Sequence, residues 1–221
     1  MCDRLTEKRK YEIDRNFASE IKRRYSPVPK DETEKIFDNL QTFFSYAQEP
    51  GRSLQSILDK AIRLIYRLFN FKEVAIAVKS EKDGLYRYVS ILGFTKEAEE
   101  AQRRIALTFE ETEDTDKYPT INLGKLSEFN IEDGTTLEED ELLAFNRPSL
   151  LPKERKSFDE VLESDYFTIN IFGYKDEFLG WIEIGDPRSG KLPERSTIKW
   201  IELICSTLGF IMQREKSKMG K

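Results

Sequence analysis

The 221-residue chain is 38% hydrophobic and 12% aromatic, with a net charge of -5. That is enough apolar material for one sizeable core, so one domain plus an extension is expected. Its lack of any histidine removes Ser-His and Cys-His catalysis, the commonest neutral-pH general base, and most zinc and haem sites. Cys2 and Cys205 are the only cysteines, a pattern that argues against a structural disulfide.

No apolar run reaches the roughly 18 residues that cross a bilayer, and Met1 leads into charges rather than a signal core, so a cytoplasmic protein without membrane contact is expected. Residues 1–30 hold nine Lys/Arg against five Asp/Glu, too short and mixed a patch for nucleic acid. Residues 110–141 hold twelve acids against Lys117 and Lys125. Ile121, Leu123, Leu126 and Phe129 interrupt this stretch, which predicts a solvated loop rather than an acidic tail. Carboxylates could hold Mg²⁺ or Ca²⁺, but no clustered ligand spacing is present and no cofactor or metal is expected.

In chain order, residues 3–25 predict a charged helix with Ile13, Phe17 and Ile21 along one stripe. Ser26-Pro27-Val28-Pro29 ends it. Residues 1–31 thus read as a helix and linker. Asp31 with Glu34 predicts a capped helix carrying Ile36, Phe37, Leu40, Phe43 and Phe44. Pro50-Gly51 breaks it, and Ser53 caps a third helix with Leu54, Ile57, Leu58, Ala61, Ile62, Ile65, Leu68 and Phe69 on one side. Val74, Ile76 and Val78 then alternate with Ala75 and Ala77 as a strand. Asp83-Gly84 marks a turn into a second strand, 85–92, with Tyr86, Tyr88 and Ser90 on one side and Leu85, Val89 and Ile91 on the other.

Residues 95–108 predict a helix. From 109 to 165 the pattern is weak: a short strand near 119–123, a long excursion and a helical turn at 138–145. So long a connection is often functional. Two strong strands follow, 166–173 and 178–185, joined by a turn at 174–177. In the first, Phe167, Ile169 and Ile171 alternate with Tyr166, Thr168, Asn170 and Phe172. In the second, Phe178, Gly180, Ile182 and Ile184 alternate with Leu179, Trp181 and Glu183. Pro193 opens a last helix, 194–214, and 215–221 is expected as a disordered tail. Hairpin-linked strands imply an antiparallel sheet of an α+β fold, with helices over Ile169, Ile171, Ile182 and Ile184.

The run Phe178-Leu-Gly-Trp-Ile-Glu-Ile-Gly-Asp-Pro-Arg-Ser-Gly-Lys-Leu-Pro193, followed by a helix, resembles the "D-P-x-x-G-x-x-P, helix" pattern of GAF domains in microbial sensor proteins. Phe71–Val78 followed by Asp83-Gly84 resembles that family's first hairpin. Phe145–Pro152 sits where such domains flank a pocket. The resemblance spans about residues 35–214 and implies an antiparallel sheet with a helix layer on one face and a loop-covered small-molecule pocket on the other. Residues 32–214 are therefore read as the GAF-like domain. Family members often sit beside histidine-kinase domains and dimerise through terminal helices. No kinase, cyclase or DNA-binding segment is recognisable, which fits a stand-alone sensor or an input module.

Several subfamilies fit poorly. Bilin-binding members usually need a pocket histidine, and the methionine sulfoxide reductase branch needs cysteines that Cys2 and Cys205 do not supply. The signature of cyclic-nucleotide binders is matched by Asn146-Arg147 and Phe172…Asp176-Glu177 only out of place.

The non-helix face would carry Tyr88, Ser90, Thr168, Asn170, Phe172, Trp181 and Glu183, aromatic area with a few polar groups. This suits a ligand pocket, or plain packing under the long loop. Glu183 either meets a ligand amine or hydroxyl, pairs with Arg147 or Arg87, or lies exposed at an edge. Arg147 either forks onto an anionic ligand group or bridges to the acidic excursion. Asp186 reads as a turn residue and Cys205 as core filler.

The last helix has two stripes. Ile198, Ile201, Cys205, Leu208 and Met212 should face the sheet. Trp200, Leu203, Thr207 and Phe210, with Phe37 and Phe44 of the earlier helix, suggest intramolecular packing or a homodimer. The expected function is non-catalytic: binding of an unidentified small molecule and signalling through terminal helices to a histidine kinase or other signalling protein. The alternative is a dimerisation or docking module without a ligand.

Overall fold

The computed structural model describes residues 15–25, 31–131, 139–144, 155–162 and 165–219. Arg147, Cys2, the Pro27–Pro29 linker and the 145–152 segment lie outside them. The chain divides into two units, Met1–Asn39 and Leu40–Lys221. The first contains helix α1 (Arg15–Arg24) and the start of α2 (Glu32–Gln48). Asp31 opens α2 as predicted, its Oδ1 accepting Glu34 N–H at 2.8 Å.

In the second unit Ser53 caps α3 (Leu54–Leu68), accepting Ser56 N–H at 3.2 Å. Its buried side holds Ile57, Leu58, Ala61, Ile62 and Ile65. There follow β1 (Phe71–Lys79), β2 (Tyr86–Leu92), α4 (Lys96–Gln102), β3 (Ala106–Leu107) and α5 (Phe109–Thr112). Next come β4 (Thr120–Asn122), β5 (Ser127–Asn130), α6 (Glu139–Ala144), β6 (Tyr166–Phe172), β7 (Phe178–Pro187) and α7 (Arg195–Met219). The strands form one antiparallel sheet in the order β3-β2-β1-β7-β6-β5-β4.

As predicted, Ile169, Ile171, Ile182 and Ile184 are fully buried on the helix side. There α7 comes so close to β6 that a Cβ at Gly209 would stand 2.0 Å from Phe172 O. Cys205 Sγ lies 3.7 Å from Ile169 O, and its thiol is pushed well up by burial, so it is core filler as expected.

Three elements differ from the sequence reading. The helix expected over 95–108 stops at Gln102, and Ala106 and Leu107 pair with Arg87 and Tyr86. Thr108 then starts α5 with a capping box to Glu111, so a second helix start interrupts the first helical pattern. The strand β5 was not anticipated; Ser-Glu-Phe-Asn is too polar to announce itself, and pairing with β6 makes it. Instead of a tail from 215, α7 continues to Met219, with Lys216 Nζ 2.8 Å from Glu177 and 3.1 Å from Glu81.

Two bulges set which side chains face which way. In β1–β2, Ile76 pairs with Ser90 but Ala77 with Tyr88, leaving Val89 extra. In β6–β7, Ile171 pairs with Gly180 but Phe172 with Phe178, leaving Leu179 extra. Each extra residue reverses the alternation beyond it. Gly180 is required at the second bulge: its φ is 149°, and a Cβ there would stand 2.1 Å from Ala77 O.

A pocket on the open face of the sheet

The face opposite α7 holds a cavity of about 110 Å³. Its floor is built from β2, β6 and β7. Small Ala75 and Ala77 on β1 leave room beside Tyr86, Tyr88, Ile91 and Trp181, which cluster on this face. Its lid runs from Ile105 through Leu107 to Tyr118. The acidic stretch, expected to be a solvated loop, therefore contributes Glu113, Asp114 and Glu128 to the walls.

Of the expected pocket residues, the structure brings together Tyr88, Thr168, Asn170, Trp181 and Glu183. Phe172 lies beside the cavity rather than on it, its ring 5.6 Å from that of Phe178, which does line it. The bulge explains why Phe178, assigned from alternation to the helix side, faces the pocket. Ser90 is a correction. The β2 bulge turns it to α3, where it accepts from Gln55 Nε2 at 2.9 Å and donates to Asp59 at 2.6 Å, while Ile91 takes the pocket face. Tyr166, Asn130 and Glu128 were missed as lining residues. Tyr166 was legible one step along the Thr168–Asn170 alternation; Asn130 and Glu128 belong to the unanticipated β5.

Glu183 is the polar centre. It is 9% exposed, which rules out an open edge, and Arg87, one expected partner, instead pairs with Asp83, at 2.8 and 2.9 Å. The Tyr88 hydroxyl and Trp181 Nε1, the latter at 2.7 Å, both donate to Glu183 Oε1. Desolvation still dominates and lifts the Glu183 carboxyl to about 7, against the hydrogen bonds of Tyr88 and Trp181. Burial, then the Glu183 charge, lifts the Tyr88 phenol well above its usual range. Burial, then Glu113, lifts Glu128. Neighbouring rings pack tightly: Trp181 meets Tyr88 edge-on at 5.9 Å and stacks with Phe178 at 6.1 Å.

Among acceptors, Asn130 Nδ2 is spent on Thr168 Oγ1 at 2.9 Å, which leaves its carbonyl oxygen for the cavity. Asp186, expected in a turn, instead lies inside β7 with φ 44°, and its carboxylate holds Lys72 at 2.8 Å. A second, larger hollow of about 490 Å³ lies on the helix side between β4, β5 and the start of α7. Its polar lining residues, among them Glu160, Arg195 and Lys199, are all solvent-accessible, so it lacks the buried hydrogen-bonding centre of the first.

Of the residues expected at a dimer interface, Phe37 is 57%, Leu203 42% and Phe210 70% exposed. Trp200 and Thr207 are partly buried, and Phe44 packs 5.6 Å from Phe43. Among the described residues no helix is long and apolar enough to cross a membrane.

No protein-family model and no curated protein matches the chain. Solved structures do. The GAF domain of the Acinetobacter phosphoenolpyruvate-protein phosphotransferase aligns over 82% of this chain and 94% of its own, with TM-score 0.51 and 12% identity. That of the Coxiella burnetii phosphoenolpyruvate-protein phosphotransferase covers 84% and 97%, with TM-score 0.51 and 12% identity. A GAF domain assigned to a sensor histidine kinase of Pseudomonas syringae pv. tomato covers 86% and 94%, with TM-score 0.52 and 8% identity. With an antiparallel sheet, one helix layer and a pocket on the far face, this chain has the GAF fold.

Proposed function

We propose that the protein is a non-catalytic sensory module that binds a small molecule on the open face of its sheet and reports occupancy through its terminal helix. The observation that carries this reading is Glu183, a buried carboxylate whose oxygen Oε1 is held by two donors inside an aromatic cavity. A group kept so costly to bury suits recognition better than stability.

The route outward runs through β6 and β7. Thr168, Asn170, Trp181 and Glu183 line the pocket, while Ile169 and Ile182, between them on the same strands, lie on the helix side. A strand shift of a few tenths of an ångström on binding is therefore felt by α7, which Gly209 brings against the backbone of Phe172. The receiving partner in this reading is a histidine kinase or other signalling protein, in keeping with the sensor-kinase GAF domain among the similar structures.

Thermal melts with cyclic nucleotides, amino acids, purines, aromatic acids and aromatic amines test binding, because a ligand selective for the folded state raises the midpoint. A raised midpoint with one chemical class is expected; a flat response across all of them overturns the reading. A second reading, a homodimerisation module with no ligand, is favoured by Leu203 and Phe210, exposed two turns apart on α7. Light scattering over a range of concentrations addresses it, and a strict monomer overturns it.

A further inference from the structure

The geometry points to a compact organic cation as the ligand of this cavity: an amine, amidine or guanidine on a flat apolar body, its N–H donors on Glu183. This rests on the sensory reading above and adds the ligand's chemistry to it.

Charge is the first argument. The walls carry Glu113, Asp114, Glu128 and Glu183, and among the described lining residues no lysine or arginine. A phosphate or carboxylate ligand would meet like charge on every side and no donor cation. A ligand cation supplies the counter-charge that the protein does not.

Donor and acceptor balance is the second. Both protein donors to Glu183 converge on Oε1. No described group hydrogen-bonds Oε2, and it is not among the sealed-off unpaired atoms, so it opens onto the cavity that Glu183 lines. The Asn130 carbonyl oxygen and the Asn170 side chain add further acceptors on the same floor. An arrangement rich in acceptors and poor in cations selects a donor-rich ligand.

Shape is the third. Trp181, Tyr88 and Phe178 provide ring faces and edges around the carboxylate, and a ring face also attracts a cation. At about 110 Å³ the space is somewhat smaller than the roughly 150 Å³ of a cavity known to take benzene. Because the cavity is open to solvent, one ring with a short cationic group is the upper limit, and part of such a ligand stays outside it. The titratable groups that face Glu183 across this space are Tyr88 from β2, Tyr166 from β6, Glu128 from β5, and Glu113, Asp114 and Tyr118 from the lid. All are acids or phenols, so proton uptake at Glu183 competes with the cation and nothing basic replaces it.

Benzamidine and phenethylamine are the probes, with neutral benzamide and anionic benzoate and cyclic GMP as controls, titrated calorimetrically into the full chain at about pH 8. Benzamidine or phenethylamine is expected to bind at least tenfold more tightly than benzamide, with no heat from benzoate or cyclic GMP. Glu183→Gln should weaken the cation at least tenfold, and Glu128→Gln a few-fold. Lowering the pH from about 8 to about 5.5 should also weaken binding, by protonating Glu183. Should Glu183→Gln fail to fold, Glu128→Gln and Asn170→Leu carry the same comparison.

Benzamide or an anion binding as tightly as the amidine overturns the cation assignment while leaving a small-molecule site in place. Undiminished cation binding in Glu183→Gln also overturns it. No binding by any of these probes overturns it too. If the wider ligand panel also leaves the melting point unmoved, the sensory reading falls with it.

Discussion

Replacing Glu183 by glutamine removes the charge that the sheet buries beneath the pocket, and the consequence for stability can be worked through. Burial holds the folded carboxyl at about 7 against 4.5 for an ordinary glutamate. A raised carboxyl binds its proton more tightly folded than unfolded. Its cost is thus absent below about pH 4.5, grows through the window up to about 7, and is complete above it. At about 1.36 kcal/mol per unit, the full cost is about 3 kcal/mol. Asp83, Asp159 and Glu202 are shifted down instead, and their linkage falls below about pH 4.5, outside this window. Glu128 moves in the same direction as Glu183, so wild type alone does not isolate the effect; the comparison with Glu183→Gln does. Urea unfolding of both proteins between about pH 5 and pH 8 should show the variant gaining on wild type by about 3 kcal/mol as pH rises, or roughly 6–12 °C in melting temperature. Parallel stability curves for the two proteins would refute the claim that Glu183 ionises inside a dry site.

Tyr88→Phe keeps the ring but deletes one donor to Glu183. The pH midpoint of the stability curve should move up, read by the same titration, and stability above pH 8 should fall by about 1–3 kcal/mol. Gly209→Ala drives a methyl into the Phe172 carbonyl, 2.0 Å away, and should cost about 1–3 kcal/mol or more in urea unfolding. Asp165→Asn breaks a carboxylate buried to 1% exposure that accepts from Arg155 at 2.6 and 2.7 Å and from Leu162 N at 2.6 Å. A loss of about 3 kcal/mol is expected, measured the same way. Phe210→Glu should leave the unfolding free energy within about 0.5 kcal/mol of wild type, because the ring is 70% exposed. If a dimer forms through α7, light scattering of that variant should show it lost.

Much of the fold was legible because local chemistry and tertiary packing agree. Asp31–Glu34 and Ser53 start helices where capping geometry demands, and the alternation through Phe167, Ile169 and Ile171 fixes a buried face without reference to neighbours. What escaped the sequence is set by partners elsewhere in the chain. A period-two reading assigns Ser90 to the face of Tyr88 and Phe178 to that of Ile182, and both fail. Each bulge inserts a residue opposite the other strand of its own hairpin, and Val89 and Leu179 carry no local mark of it. Gly180 is the exception, a glycine inside a strand pattern that marks its bulge. The strand β5 is polar and short, so Asn130 and Glu128 could not be placed in the pocket before β6 was known to pair with it. Glu183 was recognised as anomalous, with a ligand donor, an arginine or an open edge as its expected settings. The structure instead gives it a phenol and an indole, donors that satisfy the carboxylate without neutralising it.

The two middle strands of the sheet, β1 and β7, come from opposite ends of the Leu40–Lys221 unit. Until Phe178–Pro187 has left the ribosome, the β1–β2 hairpin has nothing to lie against on its inner edge. The β4–β5–β6 group, though already synthesised, has no hinge strand to join it. Assembly of the sheet must therefore wait for β7, with high contact order and a long interval of bare strand edge. Shortened forms that end before β7 should be degraded or chaperone-held rather than partly functional.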